Sequence, residues 1–582
     1  MLLLGLDTIL LLFISAGIGI FMLGLLQKIF RQPVYANTLG VILAGLVFQT
    51  VYYSLISFWL PVNFLCLLPL FALSGLIFWQ NKTLSQGFAA SLKKQAFFIL
   101  QPRHAAVTLP ILLLLGYYWL LPPINADSPG YHYTTILWFE KFRVVRGLAN
   151  VDGRLAYNSA AFILQAPYCF TSLLGQSLYP LNGLLVSLFF LWMLTKILRS
   201  SNTFVGLVYF LLLYLLNRVM LCNISSPTAD TLVIVCVAYA GVQLFEALLS
   251  KTATVSQVLL PVLILLYSIT AKLSAYPALL LLPFIAWQLA RNHKILPLVI
   301  KFFLLCLPLY IPWLWRNVLL SGYLLYPVPF IDIFTVGWKA PKNVLLLDYT
   351  YIKRLPINFD DALVHVAPPP FPHWVLPWVR GLWARGMRTD LAVLMAAICS
   401  PLYWLLARLP RKAFFQPAFG FWCILYGCVW LWLGNVPEFR FGIVFLSLSI
   451  ILPLVYASKT VVVKKYAMLP AIVALLFVAE AAWYIYNAPG KKNIYAFSLP
   501  HFLLFPFKDK HYYFRNDTAT FSYSLLNNGV KLYHQDSTHE CINAGLPCMV
   551  WQYGTIQLRR QNMADGFKNV QDDVGRNYPF VK

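Results

Sequence analysis

The first twenty-seven residues of the chain carry one charged side chain, Asp7, and runs of similar character recur as far as residue 486. Roughly 20 mostly apolar residues are enough to cross a bilayer as a helix. Continuous rather than alternating apolar runs select helices over barrel strands. On that criterion fourteen candidates emerge: Leu2–Leu26, Thr38–Leu60, Pro61–Trp79, Val107–Pro122, Leu181–Leu198, Thr203–Leu216, Thr231–Leu248, Val258–Ala271, Tyr276–Ala290, Ile295–Leu314, Leu391–Ala407, Pro417–Leu433, Phe441–Tyr456 and Ala467–Tyr486. Composition agrees. Of 582 residues 60% are apolar and 11% charged, against roughly a quarter charged in a soluble domain. The expectation is an all-α, polytopic transmembrane bundle of about fourteen spans.

The net charge of +24 has two broad explanations. Nucleic acid is excluded as a partner, because no compact basic module carries the excess. Basic loops that follow the positive-inside rule account for it, helped by an anionic substrate. Lys28/Arg31, Lys82/Lys93/Lys94/Arg103, Lys196/Arg199, Lys251, Arg291/Lys294/Lys301, Arg408/Arg411/Lys412 and Lys459/Lys464/Lys465 all fall on one side of the alternating spans, read as cytoplasmic. Short loops on the other side hold single bases: Arg218, Lys272 and Arg440. The first base, Lys28, comes after the first apolar run, which argues for an uncleaved helix with its N-terminus outside. The chain divides into a three-span segment (1–106), a core (107–486) with outer loops at 124–180 and 315–390, and an outer tail (487–582). The tail has strand-like runs at Val530–His534 and Met549–Tyr553.

Most polar chemistry lies on the outer side. Asp127 follows the fourth span on a Ser-Pro-Gly turn, where it reads either as a helix cap or as a site carboxylate. Tyr131–Arg146 has the pattern of an interfacial helix, with Arg143 among the cations at headgroup level, and Asn158–Leu174 reads as a second. Asp230 opens a span, Lys272 ends one and Arg316 with Asn317 leaves another; Glu438 and Arg440 share a short loop. Each has a local explanation: a cap, a snorkelling lysine, an interfacial anchor, a mutual salt bridge. Together they suggest one pocket, in which an arginine can clamp a phosphate. Cys541 and Cys548, seven positions apart in the tail, can close a disulfide on an oxidising side; two free thiols are the alternative. The other eight cysteines lie in or near apolar runs.

An Asp just after a span, opening an outer loop of two interfacial helices, resembles the first loop of the GT-C glycosyltransferases. More closely, the chain resembles a family of polytopic bacterial membrane proteins. The resemblance rests on Asp127, Tyr131, His132 and Trp138; on Arg146–Asn150, Arg154 and Tyr157–Ser159; and on Ser225–Asp230, Lys272 with Ser274, Trp313–Pro327, Glu438–Gly442 and the late Cys pair. What it implies is an enzyme of the bacterial inner membrane moving a sugar from a polyprenyl-phosphate donor to a glycan or lipid acceptor at the outer face. Asp127 is then the base and His132 an orienting group. Arg143, Asp230, Lys272, Arg316, Asn317, Glu438 and Arg440 are the candidate substrate-binding residues. Ser128 stands where a second acid often sits, so neither a metal nor any other cofactor is expected. A flippase for lipid-linked saccharide, or a polysaccharide polymerase using the arginine-rich 315–390 loop, is the alternative.

The charge pattern places both termini outside the cytoplasm. Periplasm-specific reporters after Lys582 and within 315–390 should both be active; a cytoplasm-specific reporter working at Lys582 would overturn this topology.

Overall fold

The computed structural model describes residues 2–121, 123, 125, 127–200, 202–249, 253–358, 368–406, 414, 416–457, 521–535, 541, 545–549 and 555–570. Its helices are α1 (Leu2–Phe30), α2 (Thr38–Ile56), α3 (Leu67–Gln80), α4 (Lys82–Leu100), α5 (Pro102–Leu120), α6 (Tyr133–Lys141), α7 (Ala160–Gln165), α8 (Thr171–Leu174), α9 (Pro180–Arg199) and α10 (Thr203–Asn223). They continue with α11 (Asp230–Leu249), α12 (Val255–Ala271), α13 (Leu281–Ala290), α14 (Ile295–Ser321), α15 (Lys342–Asn358), α16 (Val375–Ala384), α17 (Arg388–Ile398), α18 (Ser400–Leu406), α19 (Pro417–Asn435) and α20 (Phe439–Ala457).

The described chain is mostly helical and has the character of a multi-pass membrane protein. Among the described residues nine helices are long and apolar enough to cross a membrane, or ten if the bent pair Phe64–Gln80 and Ser85–Leu100 forms one span. Three other apolar runs form shorter pieces. Val107–Pro122 falls in α5, Val258–Ala271 in the 17-residue α12, and Leu391–Ala407 is split between α17 and α18. The run Ala467–Tyr486, and the basic clusters at 408–412 and 459–465, lie outside the described residues. The basic stretch after Trp79, read as a loop, is instead the helix α4, turned 94° from the one before it. Phe88 and Ile99, eleven residues apart, share one face of it while Phe97 is exposed on the other, and such apolar residues are too sparse for a span on their own.

α11 lies at the centre. Nearly all its side chains are buried, against α12, α20, α9 and α19. α1 and α2 pack on each other, on α9 and on α14, so they share the core of the remaining spans.

The first outer loop is less interfacial than its pattern suggested. Thr134 to Glu140 of α6 are all buried, and Glu140 accepts a hydrogen bond from the Ser172 amide at 3.1 Å. α7 is wholly buried and packs against α2. Of the charged residues in this stretch only Glu140 faces protein; Lys141, Arg143 and Arg146 are exposed, at and beyond the end of α6.

The tail is a small β module. β1 (Phe521–Leu525) pairs antiparallel with β2 (Lys531–Gln535), which pairs parallel with β3 (Cys548–Met549). β4 (Ile556–Leu558) pairs antiparallel with β5 (Phe567–Asn569). Cys541 and Cys548 are joined as a disulfide, with Cα atoms 5.8 Å apart. The module packs onto the outer loops through a second hydrophobic core in which Trp138, Leu148, Leu320 and Tyr326 meet Leu532, Met549, Ile556 and Phe567. Phe567 donates its amide to the Arg146 carbonyl at 2.9 Å and sets its ring edge-on to Trp138, 5.9 Å between centroids. Gly147, in the left-handed region at φ +69°, lets the two backbones touch, since a Cβ there would collide with the Phe567 carbonyl.

Removing a fully buried phenylalanine ring costs about 3–5 kcal/mol. Phe567→Ala should therefore loosen the β module while leaving the helices folded. Limited proteolysis of the full-length protein should cut the tail faster, with an unchanged helical circular-dichroism spectrum; equal cleavage rates would show that the docking contributes little.

Candidate active site

The Asn158 side-chain amide donates to the Trp313 carbonyl at 2.7 Å, and the Trp313 indole donates to the Asn158 carbonyl at 2.7 Å. Ser159 adds a hydrogen bond to the Ala271 carbonyl at 2.6 Å. These bonds tie the first outer loop to the outer ends of α12 and α14. Behind that clasp lies a cavity of about 340 Å³.

One wall of the cavity is ionic. Arg440, at the start of α20, donates to Asp127 Oδ2 at 2.7 Å and lies 3.9 Å from Asp230 Oδ2 and 3.6 Å from Glu438 Oε1. Lys272 donates to Asp230 Oδ1 at 2.5 Å, and its ammonium sits 4.0 Å from the centre of the Phe441 ring. Lys272 and Arg440 line the cavity, whereas Asp230 and Glu438 stand behind them. Two cations thus face the open space with three carboxylates around them.

The local explanations offered by the sequence change accordingly. Asp127 makes no capping hydrogen bond; its carboxylate is engaged by Arg440. Burial alone would raise that carboxyl, but Arg440, helped by His132 and Lys272, holds it well below the usual carboxylate range. His132 lines the cavity, bonded through Nδ1 to Ser128 Oγ at 3.2 Å, and burial brings its ring down to about 4, against the pull of Asp127. It is neutral at physiological pH. Burial also lowers Lys272 against the pull of Asp230, and raises Glu438 against that of Arg440.

Four expected ligands are absent from the lining: Asp230 and Glu438, which stand behind the two cations, and Arg316 and Arg143. Arg316 is 1% exposed and absent from the lining. Its guanidinium donates to Asn158 Oδ1 at 3.0 Å and to Ser57 Oγ, and stacks 4.7 Å above Phe139. The arginine joins α14, the first outer loop and the end of α2, and is a packing residue rather than a phosphate clamp. Arg143 is exposed and away from the cavity, because the chain leaves α6 in extended form just before it. Asn317 does line the cavity. Of the loop arginines noted for a polymerase, Arg354, Arg380, Arg385 and Arg388 are likewise not in the lining.

A second stretch of wall was not foreseen as a unit. Tyr131, Arg154, Tyr157, Tyr326, Asp348 and Lys353 line it. Asp348, from α15, accepts from the Tyr326 hydroxyl at 2.5 Å. Arg154 is engaged by Asp152, with Nε–Oδ1 at 3.1 Å and Nη2–Oδ2 at 2.8 Å. The remaining surface mixes apolar residues such as Ile269, Leu273, Trp313, Trp432 and Phe441 with polar ones such as Thr228, Thr270, Ser274 and Asn435. Among the described residues no group of three or more His, Cys, Asp or Glu is arranged to hold a metal ion.

Burial raises the Asp348 carboxyl to about 7; the Tyr326 hydrogen bond and Arg154 oppose the rise, and Asp152 adds to it. An acid whose folded pKa exceeds its unfolded value is most stabilising at low pH, and that contribution is lost as pH rises from about 4 to about 7. Asp348→Asn should remove this slope. Thermal unfolding of both proteins between pH 4.5 and 8 should show their melting temperatures diverging with pH; parallel curves would show that Asp348 ionises as in the unfolded chain.

No curated protein and no solved structure matches the chain. A family model does, over residues 1–447, a stretch that contains every residue of the cavity just described. The chain is a member of the family described as "Domain of unknown function (DUF8201)".

Proposed function

We propose that the protein is a GT-C-like glycosyltransferase of about fourteen spans in a bacterial plasma membrane, with both termini outside. It moves a sugar from a polyprenyl-phosphate donor to a glycan or lipid acceptor at the outer face. The observation that supports this reading most is the meeting of Asp127, Lys272 and Arg440, drawn from distant segments and backed by Asp230, in a cavity whose walls mix aromatic, apolar and polar side chains. Such a space suits an amphiphilic ligand with an anionic joint.

In the proposed reaction the acceptor oxygen bonds the anomeric carbon as the bond from that carbon to the phosphate oxygen breaks. The acceptor proton passes to Asp127, and the charge left on the polyprenyl phosphate is met by Arg440 and Lys272. A carboxylate of low basicity is adequate here, because the hydroxyl becomes strongly acidic once its oxygen begins to bond to carbon. Arg440 has two tasks. Before the donor arrives its guanidinium engages Asp127; a bound phosphate competes for the same donors and releases the carboxylate for the proton. No step requires a metal.

Asp127→Asn keeps the shape and loses the proton acceptor. With a polyprenyl-phosphate sugar, a candidate acceptor and a mass readout of product, transfer should fall by about two to four orders of magnitude. Because Asp127 caps no helix, Asp127→Ala should be similarly inactive, with no added loss from a missing cap. Turnover of the Asn variant at the wild-type rate would overturn the assignment.

A further inference from the structure

The stretch of wall around Asp348 has a distinct chemistry. Three tyrosines enclose it. Tyr131 and Tyr157 meet edge to face at 5.6 Å between centroids, and Tyr157 and Tyr326 lie 6.1 Å apart at a 36° tilt. Beside Tyr326 stands Asp348, 2% exposed, with one oxygen held by the Tyr326 hydroxyl and the other without a hydrogen bond among the described residues. The hydroxyls of Tyr131 and Tyr157 also have no hydrogen-bond partner among the described residues, though both residues are part of the lining. Gly153 presses on the Asp348–Tyr326 pair so closely that any Cβ there would collide with both. The pair is therefore wedged in place.

Several ligand types fit this wall poorly. A phosphate would approach a carboxyl with no cation paired to it among the described residues, since Arg154 is engaged by Asp152 and the Lys353 ammonium lies over the Tyr349 ring. A hydrocarbon tail would strand one carboxyl oxygen and two phenol hydroxyls away from any partner. A neutral ring with apolar faces and polar edges satisfies both the aromatic and the hydrogen-bonding surfaces. We propose that this wall is a saccharide subsite, in which an uncharged sugar ring lies among Tyr131, Tyr157 and Tyr326 and offers its hydroxyls to Asp348. The inference rests on the glycosyl-transfer reading above for its substrate class and deepens it. The phosphate end of the donor lies at Lys272 and Arg440, and the sugar extends through the cavity to Asp348.

The test compares undecaprenyl phosphate with the same lipid carrying a hexose, a pentose or an N-acetylhexosamine, bound to the full-length protein in nanodiscs. Saturation-transfer NMR with the free methyl glycosides of the same sugars runs alongside. Wild-type protein should bind at least one sugar-bearing lipid about tenfold more tightly than the bare phosphate, the worth of one or two net hydrogen bonds. Asp348→Asn and Tyr157→Phe should each remove most of that difference and leave the bare lipid within twofold. Tyr326→Phe, which keeps the ring, serves as a second variant should Asp348→Asn fail to fold. If the variants weaken both lipids equally, or neither, the subsite is overturned. Were wild-type protein to ignore every polyprenyl phosphate yet show glycoside saturation transfer that depends on Asp348, the donor reading would fall and the subsite would stand. Binding of neither lipid nor glycoside would overturn both.

Discussion

Five ionisable side chains share one recess: Lys272 and Arg440 among Asp127, Asp230 and Glu438. Asp230 is almost fully buried, at 2% exposed, whereas the other four are a quarter to a third exposed, so losing Lys272, its direct partner, is the change that would strand a charge in a low dielectric. The cluster therefore fixes which segments must meet. Asp127 brings the first outer loop, Asp230 the head of α11, Lys272 the end of α12, and Glu438 with Arg440 the turn into α20. The apolar helices have many acceptable packings at low resolution; the carboxylates and their two cations select one of them.

Much of this was legible in the sequence. Long uncharged runs have few ways to satisfy their backbone, so the helices followed from composition, and bases grouped by side gave an alternation. Asp127, Asp230, Lys272, Glu438 and Arg440 stood out because ionisable groups at span ends are few, and the structure brings all five together. Their partners were harder to see. Asp127 looked like a cap, and its carboxylate instead meets an arginine near the other end of the membrane core, a pairing that local spacing cannot encode.

The errors share a cause. Arg316 and Asn158 were each visible as polar residues on the outer side. A buried guanidinium stacked on Phe139, with Asn158 and Ser57 as acceptors, looks in sequence like one that meets phosphate. Sequence gives the donor and not the acceptor. Asp348 was overlooked for the converse reason. It lies within a helix, α15, that follows no cap or span signal, and only the fold sets it beside Tyr326 and Gly153. Tyr131–Arg146 showed the period of an amphipathic helix, but Thr134–Glu140 is buried in protein and the helix ends at Lys141, so Arg143 and Arg146 are exposed beyond it.

The amide of Cys541 donates to the carbonyl of Pro129, in the turn that follows Asp127, at 3.2 Å. That hydrogen bond joins two ends of the chain's history. A nascent protein is threaded from its N-terminus, so the turn bearing Asp127 emerges early, with its neighbours in α20 and its cover in the β module still unmade. Pairings between segments so far apart in sequence form late, since the chain must first close a very long loop. The cavity around Asp127 is accordingly among the last parts to take shape, and a chain stalled after its helices would hold the membrane while that pocket remained unfinished.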